Sequence, residues 1–92
     1  MGIETILNTP EFSIRKSENT IEVFIKEPPV LQEFYLLLSQ TRNVLEKCDP
    51  PNEQESKIVF MPNPEVPIER VYVELQRIYE RAKASVAEKY KR

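Results

Sequence analysis

The stretch TIEVFIKEPPVLQEFYLLLSQ, residues 20–40, changes its period half-way along. From Thr20 to Lys26 apolar and polar residues alternate, the period of a strand with one buried face. After Pro28 and Pro29 the apolar positions Leu31, Phe34 and Leu38, with Thr41 on the same line, recur every three or four residues. That is the period of a helix with one buried face. The prolines mark the switch. Neither fits inside a central strand, whereas a proline at the first helical position removes an N–H that has no intrahelical partner.

Upstream, EFSIRK (11–16) also alternates, and the polar SEN (17–19) separates it from the strand that follows, so residues 11–26 read as a β-hairpin. Phe12 and Ile14 share a face with Ile21, Val23 and Ile25, while Arg15, Glu22 and Lys26 point to water. Phe24 lands on the wet face and is a candidate partner contact. Residues 1–10 have weak periodicity and end at Pro10, an N-terminal arm or short lead-in strand.

Downstream, the helix is predicted over 29–47, stopping before CDPP, where Pro50 drives Asp49 away from helical angles. DPPNEQES (49–56) is a polar loop, KIVFM (57–61) a short buried strand, and PNPEVP a stiff connector. A last helix is expected over 67–91, with Ile68, Val71, Leu75, Ile78, Ala82 and Val86 on its apolar line. Glu65 and Glu69 complement its positive end, and Lys83, Lys89, Lys91 and Arg92 its negative end. At 1.5 Å per residue it is roughly 35 Å long, so its final turns are expected to project beyond a small core. The order is β-β-α-β-α, with a fourth strand if residues 3–7 pair. This is one α+β domain, a small, mostly antiparallel sheet packed against two helices.

Ninety-two residues allow one core and little more. The single Cys48 forms no internal disulfide, and MGIETILNTP has neither the basic start nor the apolar run of a secretory signal, so a cytoplasmic protein is expected. No apolar run approaches the ~20 residues of a membrane span. All acidic residues but Asp49 are Glu, and eight prolines accompany one glycine, a bias that points to an archaeal or other thermophilic source.

Chemistry is scarce. With no His there is no imidazole base and no His ligand for a metal. One Cys excludes CxxC sites, and one Gly excludes a glycine-rich phosphate loop. Glu53 and Glu55 read as solvated loop charges, and Cys48, at an expected helix end, lacks the setting of a nucleophile. No enzyme, cofactor or metal site is expected.

Binding is the better reading. Tyr35, Leu36 and Leu37 widen the first helix's apolar surface beyond what one sheet face covers. Either a partner buries them, or the second helix or the N-terminal arm wraps over them. Tyr72, Tyr79 and Val86 form a heptad line on the last helix, more typical of a packed seam than of a base-stacking platform. Phe24, Tyr35, Leu36, Leu37, Tyr72 and Tyr79 form the expected protein interface. The alternative is a nucleic-acid surface using Arg77, Arg81, Lys83, Lys89, Lys91 and Arg92, although Glu74, Glu80 and Glu88 dilute its charge and the net charge is −2.

The hairpin FSIRKSENTIEVFIKE, the proline-opened helix, DPPNEQESKIVF and the long last helix resemble, over residues 11–90, the small α-like assembly subunit of archaeal and eukaryotic RNA polymerases (subunit L in archaea). The family's His-Thr-Leu-Gly-Asn signature falls near PPVLQE (28–33), where only Leu31 corresponds. Its strand before the proline link is reduced here to NVLEKC, read as helix. The resemblance implies a non-catalytic subunit that pairs with a larger subunit through its first helix. A diverged paralogue, or an unrelated accessory subunit of a replication or repair complex, would read the same way. The expected partner is either a larger subunit or a second copy of the chain.

Overall fold

A computed structural model describes residues 4–41 and 45–90, with the side chains of 45–47 and 90 left aside. Seven elements follow in order: β1 (Glu4–Asn8), β2 (Phe12–Lys16), β3 (Ile21–Ile25), α1 (Pro28–Gln40), β4 (Leu45–Cys48), β5 (Lys57–Pro62) and α2 (Ile68–Tyr90). The strands form one antiparallel sheet in the order β1-β2-β3-β5-β4, and the fold is α+β.

The hairpin closes at the expected turn, where the Ser17 amide donates to the Thr20 carbonyl at 2.9 Å. Its register sets Phe12 opposite Ile25 and Ile14 opposite Val23, so these side chains and Ile21 share the inner face. All five are at most 4% exposed. β5 extends that face, with Phe60 opposite Ile21 and Ile58 opposite Val23. Burying each such side chain is worth roughly 1.5–3 kcal/mol, and α1 and α2 supply the cover with Val30, Leu31, Phe34, Leu38, Val71, Leu75 and Ile78.

One alternative left open by the sequence is decided, and one expected element changes. The N-terminal arm is strand β1, paired with β2 through a register shift between Thr5 and Leu7. The helix expected over 29–47 ends at Gln40, and residues 45–48 are strand β4 on the outer side of β5. Leu45 lies seven residues after Leu38, so helical spacing fits it as well as strand alternation does. The helix stops where hydroxyl side chains compete for its last carbonyls: Ser39 Oγ donates to Leu36 O at 2.8 Å and Thr41 Oγ1 to Leu37 O at 2.9 Å. Both edge strands carry a register shift, β4 between Leu45 and Lys47, a feature that discourages further pairing along a sheet edge.

The loop before β5 is organised by Asn52, whose side-chain oxygen accepts from the amides of Gln54 at 3.1 Å and Glu55 at 3.2 Å. It closes on Ser56 in the left-handed region, at φ 56°. The Ser56 carbonyl then accepts the Ile25 amide at 2.9 Å, tying the loop to the end of β3.

α2 begins after Pro67, whose carbonyl accepts the amides of Arg70 and Val71. The molecule measures 45 × 24 × 20 Å. Ala82 is the last buried residue described in α2, so the turns after it reach past the core as expected, while Ser85 and Lys89 tie them to Glu33 of α1.

Candidate interaction surface

The expected interface residues separate on folding. Tyr79 is a core residue, 8% exposed. Its ring stacks on Phe12 with centroids 4.0 Å apart and planes 3° apart, and the Lys83 ammonium lies 5.4 Å from its centroid. Burial raises the Tyr79 hydroxyl above its ordinary pKa, and Glu11, Glu27 and Glu80 push the same way. The heptad line through Tyr72, Tyr79 and Val86 is thus an intramolecular seam: Tyr72 and Val86 are half-buried against the same core. Tyr72 is also raised, first by burial and then by Glu4 and Glu69.

Tyr35 and Leu37 are half-buried and pack on the core, so the domain itself shields them. Leu36 does not share that cover and is 51% exposed. Among the described residues the only other large apolar side chains so open are Val73 at 53% and Met61 at 37%. The broad greasy surface expected on the first helix therefore contracts to Leu36 and its surroundings.

Phe24 does lie on the outer face of the sheet, half-buried. The Arg15 guanidinium carbon sits 4.8 Å from its ring centroid and the Lys57 ammonium 5.9 Å. Lys57 pairs in turn with Glu55 at 2.9 Å, which raises the lysine's pKa, and Glu22 adds to that rise. Arg15 and Lys57 are thus engaged with the Phe24 ring, and Lys57 also with Glu55.

The proposed nucleic-acid residues fare similarly. Arg77 lies 3.5 Å from Glu74, Lys83 covers Tyr79, and Lys89 binds Glu33. Arg81 is exposed, and Lys91 and Arg92 lie outside the described residues. Glu80 and Glu88 are exposed along the same helix, so no unbroken basic track forms among the described residues.

What the fold does bring together is a groove of about 350 Å³ lined by Pro28, Pro29, Gln32, Glu33 and Leu36 of α1 and by Val86 and Lys89 of α2. Glu33 holds its two sides. One carboxylate oxygen accepts from Ser85 Oγ at 3.2 Å and the other from Lys89 Nζ at 2.8 Å. The hydrogen bond from Lys89, aided by Ser85, holds the Glu33 carboxyl below its ordinary pKa against the opposing effect of burial. At the rim, Gln32 Nε2 donates to Glu53 Oε2. Sequence reading missed Glu33 and Ser85, because their partnership spans 52 positions and neither belongs to a recognisable motif.

Among the described residues no cluster of His, Cys, Asp or Glu is arranged to hold a metal ion, and no helix is long and apolar enough to cross a membrane. No protein family, curated protein or solved structure matches the chain.

Proposed function

We propose that this chain is a non-catalytic subunit or accessory factor that docks another protein through the groove between α1 and the end of α2. The supporting observation is Leu36, which stays 51% exposed, much as Val73 does, and which lines a groove beside two prolines and Val86. Exposed apolar side chains set in a concave surface with a polar rim are characteristic of protein-binding sites. The first helix is also the element through which the resembled polymerase subunits pair, so transcription or replication machinery is the setting we favour. The small exposed apolar area argues for a domain that folds alone and associates afterwards. A nucleic-acid surface on α2 has less support, since Arg77, Lys83 and Lys89 already have partners within the chain.

Two substitutions of matched exposure test the reading. Leu36→Asp and Val73→Asp each place a charge on an exposed helical position, so their effect on folding should be similar and small, within about 0.5 kcal/mol. Tagged chains are purified from source cells, and the proteins retained are quantified by mass spectrometry against wild type. Leu36→Asp should lose a stoichiometric partner that Val73→Asp keeps. Equal retention by both variants, or loss by Val73→Asp alone, would overturn the assignment.

A further inference from the structure

We infer that the last two turns of α2, residues 83–90, are a latch that opens separately from the rest of the helix, and that Glu33 holds it shut. The burial along α2 is uneven. Val71, Leu75 and Ala82 have no exposure and Ile78 has 4%, but beyond Ala82 only Ser85 and Val86 are even half-buried. Ala84, Ala87, Glu88 and Lys89 are exposed. These turns propagate from a helix already nucleated, and each residue added that way gains little on its backbone hydrogen bond alone. Helix ends with few buried contacts open at a fraction of the global unfolding free energy.

Two described hydrogen bonds from this segment to α1 meet on one carboxylate. Glu33, whose side chain is 15% exposed, receives Ser85 at 3.2 Å and Lys89 at 2.8 Å. Ser85 and Lys89 are four residues apart, so both reach the same side of the helix one turn from each other. Closing the latch does more than tidy a terminus. Val86 and Lys89 are the α2 wall of the groove, so the groove exists only while the latch is closed. Anything that fills the groove must then favour the closed state, and the two equilibria are linked. The inference deepens the docking reading at the same surface. Its test uses the chain alone, so failure of the latch and failure of docking are read separately.

Amide hydrogen exchange on the full chain measures the opening. In wild type, amides 86–90 should exchange faster than amides 75–82 of the same helix. Glu33→Gln removes the charged half of the clasp, and exchange at 86–90 should rise about fivefold, the scale of a partly exposed ion pair. Lys89→Met keeps the side chain's length without its charge and should give a similar rise. In both variants amides 75–82 serve as the internal reference and should be unchanged. Uniform protection along wild-type α2 would overturn the inference. So would unchanged rates at 86–90 in both variants, or an equal rise along the whole helix.

Discussion

Replacing Tyr79 by Ala distinguishes a core aromatic from a docking aromatic. Tyr79 is 8% exposed and stacks on Phe12 at 4.0 Å, and Phe12 in turn lies 6.2 Å from Phe34, so the ring is part of an aromatic cluster between sheet and helices. Truncating a buried aromatic costs about 3–5 kcal/mol, of which the stacked pair accounts for about 0.5–1.5 kcal/mol beyond its area. The Lys83 contact adds little at an exposed site. Against a total stability of about 5–14 kcal/mol for a domain of this size, that is a large fraction. Urea unfolding followed by circular dichroism reads it directly. With a slope of about 2 kcal/mol per molar, the midpoint should fall by about 2 M. Tyr79→Phe keeps the stack and should retain most of the stability. A loss under about 1 kcal/mol for Tyr79→Ala would refute the placement and return Tyr79 to the surface.

Ser56 holds a left-handed backbone that costs any residue with a Cβ, so Ser56→Gly should stabilise the domain by up to about 1 kcal/mol. A β-branched Val there should destabilise it, and the same urea titration reports both. Burial, and then the neighbouring Asp49, push the Cys48 thiol up to about 11. Because the thiolate is the reactive form, alkylation of the folded chain at pH 8 should be much slower than in urea and should rise steeply only in strong alkali. Equal rates folded and unfolded would show that the thiol is not perturbed.

The hairpin and the inner face were legible because strand alternation there is local and unambiguous: Phe12, Ile14, Ile21, Val23 and Ile25 all landed in the core. The apolar line of α2 was legible for the same reason. The segment 45–48 was not. Leu45 continues the helical spacing of Leu38, and strand pairing with β5, which no local pattern announces, decides the matter. Tyr79 was misplaced because the heptad line through Tyr72 shows that a seam exists without showing whether it closes within the chain or on another. The clasp at Glu33 joins residues 52 and 56 positions apart, and a lone glutamate on a polar helix face carries no sign of such a partnership. The exposure of Leu36 was anticipated, whereas the cover over Tyr35 and Leu37 depends on how the domain closes around α1.

A photo-crosslinking residue placed at position 36, with matched chains carrying it at 61 and 73, tests the docking surface most directly in living source cells. Irradiation should yield one discrete adduct of higher mass from position 36 and none from the other two. Adducts from all three positions alike, or none from position 36, would contradict the assignment of this groove as the place where another protein binds.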